Sequence, residues 1–198
     1  MAGACTFFWP EPPREIMSPD ESALQAVAGL MALAARTAPK GRGVDTIEVR
    51  VLSKKEKRAL ASRLDALGTE RGIGFFHRDA KNIAAASACI LIGSRAGAVA
   101  GIDCGGCGFA SCASFERARA KKKPGSAPYD GPNCILRVTD LGIAVGSAVK
   151  TAQIHNADNR VMYSGGVAAR DLGLLPAECT IAYVIPLSAT GKNIFFDR

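Results

Sequence analysis

The sequence contains no long apolar run, and this absence excludes one broad class of protein. Hydrophobic residues make up 48% of the 198 positions, yet no run approaches the roughly 20 consecutive apolar residues that span a membrane. The first 17 residues also lack the early positive charge and the apolar segment of a secretory signal. We therefore expect a cytoplasmic protein without membrane association, whose residues 1–198 form a single domain.

Aromatic rings and histidines are scarce, which argues against two further classes of function. Lys and Arg number 25 against 18 Asp and Glu, a formal net charge of +7, but aromatic residues make up only 6%. No basic stretch alternates with stacking rings, so we expect no nucleic-acid partner. The two histidines, His77 and His155, and the lack of a G-x-S-x-G segment give little support to acid–base or nucleophilic catalysis. We assign no catalytic residue.

Cysteine, by contrast, is plentiful and unevenly distributed. The chain has seven cysteines, an odd number that argues against a disulfide framework in a protein without an export signal. Three of them form a C-x2-C-x4-C pattern and a fourth follows later; these four are Cys104, Cys107, Cys112 and Cys134. Gly105, Gly106 and Gly108 allow the backbone to curl tightly, which lets neighbouring thiolates converge on one metal centre.

The spacing of these four cysteines also indicates the kind of metal. Structural zinc usually takes two closely spaced pairs of ligands, but only one C-x2-C pair is present, and neither His77 nor His155 has a second histidine at ligand spacing. Three clustered cysteines and one distant cysteine are typical of a cubane iron–sulfur cluster, whereas plant-type [2Fe–2S] proteins have the reverse order of spacings. We favour a [4Fe–4S] cluster; zinc and the absence of any metal stay open as alternatives.

Capping and alternation predict helices and strands in mixed order, an α+β fold. Capping boxes begin helices at Ser18 and Ser53. The predicted strands are Thr46–Val51, Ala88–Ile92 and Thr180–Pro186. The further predicted helices are Arg78–Ala86, Phe109–Lys121, Leu141–Ile154 (capped by Thr139 and Asp140) and Val167–Leu172, the last preceded by a loop over 158–166. The remaining cysteines are predicted to be structural, and they are Cys5, Cys89 and Cys179.

Five segments of the chain together resemble one known family. They are AARTAPKGRGVD (34–45), DCGGCGFASC (103–112), TDLGIAVGSAV (139–149), DNRVMYSGG (158–166) and IPLSATGKNIFFDR (185–198). The family is that of the prokaryotic ferredoxin-domain-containing proteins of unknown function, and the resemblance covers nearly the whole chain.

Outside its cysteine-rich part, the chain is similar to the FMN-dependent nitroreductase fold. In that fold a helix ends at an Ala-Pro turn before a strand, as at Ala38-Pro39 here, and a central helix, a glycine loop, a strand and a basic tail follow. The resemblance implies an α+β, nitroreductase-like sandwich, with residues 101–134 as an inserted cysteine-rich iron–sulfur module. It also implies a homodimer that holds FMN at its interface.

The same resemblance assigns residues to the flavin. It implies that Lys40 and Arg42 lie near the flavin and that the backbone N–H groups of Gly165 and Gly166 face the edge of its ring. Lys192 would then meet the phosphate.

Taken together, the sequence predicts an iron–sulfur redox protein that transfers electrons, to or from a bound flavin where one is present. Two alternatives stay open: a non-enzymatic protein stapled by a structural metal such as zinc, and a redox-sensing or assembly partner of a larger complex. The densest basic run, Arg117–Lys123, is either a solvated helix face and loop or a docking surface for an acidic electron carrier such as a ferredoxin or flavodoxin.

Overall fold

The computed structural model describes residues 18–121 and 127–196, with the side chain of Pro19 left aside. Cys5, Lys122 and Lys123, which the sequence analysis singled out, lie outside the described residues. Within the described ranges, none of the helices has the length and apolar character needed to cross a membrane.

The described residues form helices and strands in mixed order, as the sequence predicts. The α-helices are α1 (Pro19–Thr37), α2 (Lys54–Arg71), α3 (Gly74–Ala85), α4 (Cys112–Ala120), α5 (Ile135–Ile154) and α6 (Tyr163–Asp171), with a short 3-10 turn at Gly41–Gly43. The strands are β1 (Ile47–Val51), β2 (Ala88–Ser94), β3 (Asp158–Asn159) and β4 (Ile181–Ser188). The three strands expected from the sequence are confirmed; β3 is an addition of two residues.

The four strands form one antiparallel sheet in the order β1-β2-β4-β3, with helices on both faces. Every residue of β2 is buried, and its side chains alternate between two apolar clusters. Ile90 and Ile92 pack with α1 and α5, whereas Cys89 and Leu91 pack with α2, α3 and α6. The cysteine-rich residues leave the sheet at the end of β2 and return at the start of α5.

Two helices begin where their capping residues predict. The Ser18 hydroxyl accepts the N–H of Glu21 at 3.2 Å, at the start of α1. At the start of α2 the Ser53 hydroxyl accepts the N–H of Glu56, while the Glu56 carboxylate accepts the N–H of Ser53 at 2.9 Å. That backbone hydrogen bond from Ser53 lowers the pKa of Glu56, so the capping carboxylate is ionised at neutral pH.

The start of α5 differs from the prediction. Thr139 and Asp140 were expected to cap a helix beginning at Leu141, but α5 begins at Ile135 with Cys134 as its N-cap residue. The Thr139 hydroxyl donates to the carbonyl of Ile135 within the helix, at 2.9 Å. Asp140 is buried and accepts a hydrogen bond from another segment of the chain, so neither side chain is available as a cap.

The predicted loop over 158–166 is also wrong in its second half, because α6 already begins at Tyr163. Gly165 and Gly166 lie inside this helix and are buried against β4. A Cβ built on Gly165 would lie 2.7 Å from Cβ of Val184, and one built on Gly166 would lie 1.9 Å from the carbonyl oxygen of Ala182. The glycines therefore permit close helix–sheet packing and do not mark a loop.

Candidate metal centre

The four clustered cysteines line one narrow cavity at the end of the sheet. Cys104, Cys107, Cys112 and Cys134 all contribute to its wall, together with Val99, Ala100, Ile102, Asp103, Gly105, Phe109, Ser111 and Phe115. The cavity measures about 300 Å³ when its opening to solvent is included. The structure thus brings the distant fourth cysteine to the same place as the first three.

The backbone that carries the first cysteines is tightly curled. Left-handed φ angles occur at Gly101 (71°), Asp103 (49°), Gly105 (70°) and Gly108 (82°), and the N–H of Gly108 donates to the carbonyl of Gly105 at 2.9 Å. Glycine adopts this region at little cost, which is why so short a segment can turn its cysteines inward. The conformation agrees with the role that the sequence assigned to the glycines.

Among the left-handed positions of this curl, Asp103 alone is not a glycine, and its side chain has a local function. Its carboxylate accepts the N–H of Cys112 at 2.6 Å, at the start of α4. The carboxylate therefore ties the beginning of the C-x2-C-x4-C segment to its end. The predicted helix from Phe109 accordingly begins three residues later, after the capping residue Ser111.

Two of the cysteines lie at the positive ends of helices. Cys112 is the first residue of α4, and Cys134 is the N-cap residue of α5. The helix macrodipole places partial positive charge at these ends, where negative charge is stabilised. Thiolate ligands and an anionic group bound by them are therefore favoured at this cavity.

The fourth cysteine is fixed by hydrogen bonds on either side of it. Its own N–H donates to the carbonyl of Ala96 at 2.7 Å, just beyond β2. The guanidinium of Arg119, on α4, donates to the carbonyl of Pro132 at 2.8 Å and occupies the space beside Gly97. These contacts hold the loop before α5 against the sheet and against α4.

A small apolar core shields one side of the cavity. Phe115 is fully buried and its ring packs edge-on against Phe109, with centroids 5.5 Å apart. Cys134 belongs to this core and is only 4% exposed, whereas Cys104 is exposed. A group held by the four cysteines would be sheltered on the Cys134 side and close to solvent on the Cys104 side.

The chemistry of the donors bears on the group they could hold. Within residues 18–121 and 127–196, no three His, Cys, Asp or Glu side chains are already arranged to hold a metal ion. The four thiols line one cavity, and an all-cysteine donor set suits an iron–sulfur cluster as well as a structural zinc ion. The residues present therefore fit the expected cluster by their chemistry, and the binding of the cluster stays a prediction.

A buried polar network joins the cysteine-rich residues to the turn after α1. Asp140 accepts the N–H of Gly41 at 2.7 Å and forms a buried ion pair with Arg137, whose Nη1 lies 3.1 Å from its carboxylate. Nη1 of Arg137 also donates to the carbonyls of Gly41 and Val44. Arg42, in the same turn, donates to the carbonyl of Ala100 in the cavity wall at 2.8 Å. This ion pair was not predicted from the sequence. Two opposite charges three residues apart on an otherwise apolar helix face are the pattern that could have indicated it.

The residues that the resemblance assigned to a flavin lie in different parts of the chain. Lys40 donates to the carbonyls of Ala35 and Arg36 at the end of α1, and Arg42 contacts the cysteine-rich residues. Gly165 and Gly166 are packed against β4. The described contacts of Lys40 and Arg42 thus lie in a different part of the chain from those of the two glycines, and the assignment of these residues to a flavin stays a prediction.

Lys192 lines a second, larger cavity of about 1030 Å³, again with its opening to solvent included. Its other lining residues are Arg78, Asn82, Thr190, Asn193, Ile194, Phe195 and Phe196. Cations, amides and phenyl rings in one cavity of this size suit an anionic ligand with an aromatic part. The contribution of α3 to this cavity, through Arg78 and Asn82, was not foreseen from the sequence.

Cys89 and Cys179 lie in the apolar core and not at the cysteine cavity. Burial raises the pKa of Cys89 to about 12 and that of Cys179 to about 11. Both side chains therefore remain protonated at neutral pH and behave as small apolar groups.

The chain matches one described family over its last third and is similar to one relative over most of its length. The family described as "Uncharacterized protein containing a ferredoxin domain (DUF2148)" matches residues 130–198, which include Cys134, α5, α6 and β4. An "Uncharacterized protein" of Archaeoglobus fulgidus is 40% identical over 175 residues, which are 88% of this chain and 91% of that protein.

Solved structures of nitroreductases share the fold. An FMN-dependent nitroreductase from Clostridium difficile has a TM-score of 0.51 at 15% identity, covering 85% of this chain and 77% of that one. The NADPH:FMN oxidoreductase from Vibrio harveyi, complexed with NAD+, has a TM-score of 0.52 at 11% identity, covering 85% and 60%. Nitroreductase A from Vibrio parahaemolyticus has a TM-score of 0.51 at 12% identity, covering 85% and 60%.

At these identities the structural likeness extends to the fold alone, whereas the match over residues 130–198 and the relative with 40% identity establish kinship. The chain belongs to the family of proteins containing a ferredoxin domain (DUF2148), and its fold is nitroreductase-like.

Proposed function

We propose that this chain is an iron–sulfur redox protein in which Cys104, Cys107, Cys112 and Cys134 hold one [4Fe–4S] cluster. The observation that carries the proposal is the lining of one cavity by all four cysteines, although Cys134 is distant in sequence. The family description, which names a ferredoxin domain, supports the same conclusion. When bound, such a cluster supplies the transfer of single electrons.

The residues of the chain would hold and tune this group in distinct ways. The curl with left-handed Gly105 and Gly108 brings the cysteines of the C-x2-C-x4-C segment to the wall of one cavity. The positive ends of α4 and α5 favour negative charge at the cavity. Phe109 and Phe115 exclude water from the sheltered side.

We also propose that the cavity at Lys192 is the place for FMN, which the descriptions of two structurally similar proteins name. Its cationic side chains, Arg78 and Lys192, suit a phosphate, and Phe195 and Phe196 suit a flat ring. With both groups bound, the chain would be a flavin/iron–sulfur oxidoreductase in this proposal.

The proposal is tested on protein purified without oxygen. We expect broad absorbance at about 400 nm that is bleached by dithionite, about four irons per chain, and FMN in the supernatant after acid denaturation. Cys134→Ser should lose most of the iron, whereas the matched variant Cys89→Ala should retain it, because Cys89 lies away from the cavity. Colourless protein with one zinc per chain would contradict the cluster and favour a structural metal. Iron without released FMN would contradict only the flavin.

A further inference from the structure

We propose that the exposed surface around Cys104 is the docking site of an acidic electron-carrier protein. The inference rests on the proposed function, since it names the partner of the proposed cluster. We call this surface the Cys104 face, and its members are Arg42, Ile102, Cys104, Gly105, Gly106 and Ile135.

The Cys104 face is the side on which the cysteine cavity approaches solvent. Cys134 is buried and Cys107 and Cys112 are half-buried, whereas Cys104 is exposed. Ile102 is a member of the cavity wall and is nevertheless 49% exposed. An electron that enters or leaves through protein contact has its shortest route here, because Cys104 is the most exposed of the four cysteines.

Apolar side chains flank Cys104 closely. A Cβ built on Gly106 would lie 2.8 Å from Cγ2 of Ile135 and 3.8 Å from the sulfur of Cys104, so these two side chains are near neighbours. Ile135 is 42% exposed although it is the first residue of α5. Two large apolar side chains exposed beside one thiol are a feature of binding surfaces, since burial against a partner would stabilise the complex.

The absence of side chains at Gly105 and Gly106 leaves the thiol of Cys104 open to approach. Both glycines are exposed, and no bulky group projects from them over the sulfur. A partner with a convex surface could therefore come into contact with Cys104 itself. The narrow cavity behind it admits almost no water-sized sphere, so a large reductant is expected to bind on this face and not inside the cavity.

The charge next to this face is positive and thus indicates an acidic partner. Arg42 is exposed and contacts the carbonyls of Ala100 and Gly101, which places its guanidinium beside the cavity wall. On α4, which begins at Cys112, Arg117 is exposed, and Lys121 is exposed at the end of the helix. Two exposed carboxylates, those of Asp103 and Glu116, lie in the same part of the chain, so the three cations leave a small positive excess. Cations around the apolar side chains of this face would attract an oppositely charged protein and speed its association with the face.

The test is stopped-flow reduction of the oxidised holoprotein, without oxygen, by an acidic plant-type [2Fe–2S] ferredoxin that has been chemically reduced. One electron leaves the ferredoxin and one reduces the cluster, with no bond made or broken. We expect the second-order rate constant to fall about tenfold or more when ionic strength rises from about 0.05 M to about 0.5 M. Arg117→Glu with Lys121→Glu should lower the rate about tenfold at low salt.

A matched double variant separates local from overall charge. Arg58→Glu with Lys81→Glu makes the same change in net charge on the exposed surfaces of α2 and α3, and should leave the rate within about twofold of the wild-type value. A rate independent of salt, or an equal loss in both double variants, would overturn the docking proposal. Protein that shows no cluster absorbance before mixing would overturn the proposed function itself, so the two failures are distinguishable.

Discussion

Asp140 and Arg137 form a buried ion pair beneath the cysteine-rich residues, and its surroundings decide what it contributes. Both side chains are almost fully buried, and the Nε atom of Arg137 has no hydrogen-bond partner among the described residues. Such a pair is a weak source of stability in itself, because desolvation offsets most of the attraction. Its larger contribution is positional, since Asp140 accepts the N–H of Gly41 and Arg137 donates to two carbonyls of the turn after α1.

We predict that Asp140→Ala lowers the free energy of unfolding by about 3–5 kcal/mol, because it leaves the buried charge of Arg137 uncompensated. Asp140→Asn also removes the negative charge but retains an oxygen acceptor for the N–H of Gly41, so it should cost less than Asp140→Ala. Urea denaturation of the holoprotein, followed by circular dichroism, measures both.

The double variant Arg137→Met with Asp140→Leu provides the control. Because it removes both charges together, it should be more stable than Asp140→Ala alone. If the free energy of unfolding fell in the double variant by the sum of the two single effects, each side chain would act independently, contrary to this interpretation.

At the scale of elements, α6 packs closely against β4 because two of its residues, Gly165 and Gly166, have no side chain. Gly166 lies so close to the carbonyl of Ala182 that no Cβ fits, and the hydroxyl of Tyr129 lies 2.4 Å from the position of that Cβ. The Tyr129 hydroxyl donates to the carbonyls of Ala182 and Tyr163. Gly166 of α6 therefore packs at once against β4 and against the loop that leads to Cys134.

We predict that Gly166→Ala destabilises the protein by about 3 kcal/mol or more, because the rigid backbone of β4 cannot move away from the added methyl group. Gly74→Ala, at the exposed first residue of α3 where nothing lies within 4 Å, is the matched control and should change the stability by less than about 1 kcal/mol. Thermal unfolding of the two variants measures the difference. Equal melting temperatures would contradict the packing described for α6.

Elements whose ends are set locally could be predicted from the sequence, and those set by tertiary contacts could not. Ser18 and Ser53 cap their helices through neighbours three residues away, and the strands follow from alternation. Gly166 suggests a loop until β4 is placed beside it, and Asp140 suggests a cap until Gly41 is placed beside it. In each of these cases the contact that decides comes from a distant part of the chain.

The same distinction applies to the candidate site. The spacing of the cysteines predicts them as one set, and the structure places the four around one cavity. The binding of a cluster by that set stays a prediction. The role of Asp103 in holding the N–H of Cys112 could not be predicted, because an aspartate with a left-handed backbone leaves no recognisable pattern in a single sequence.

For the whole molecule, the exposed faces of α1 and α5 suggest how two copies would meet. Leu30, Leu33, Ile143 and Ile154 are exposed large apolar residues of these two helices. Gly142 is exposed on α5, with open space where a Cβ would be. We propose that this surface is the interface of the homodimer implied by the resemblance to nitroreductases, since apolar residues and close helix approach favour a stable interface.

We predict that Leu33→Glu, at a residue 59% exposed in one chain, converts the dimer to a monomer because it places a charge in an apolar interface. Size-exclusion chromatography with light scattering measures the mass. Leu172→Glu is the control at a residue 37% exposed at the end of α6, and it should leave the dimer intact. A wild-type protein with the mass of one chain would contradict the proposed interface.

The hydrogen bond from the N–H of Cys134 to the carbonyl of Ala96 has a consequence for how this chain can change over evolutionary time. The bond closes the segment between these two residues at its base, and the segment is tied to the rest of the chain again where Arg42 donates to Ala100 and Tyr129 donates to Ala182. Insertions and deletions placed between these fixed points leave the register of β2 with its neighbours unaltered. We therefore expect relatives of this chain to differ in length between the fixed points and to retain the contacts themselves.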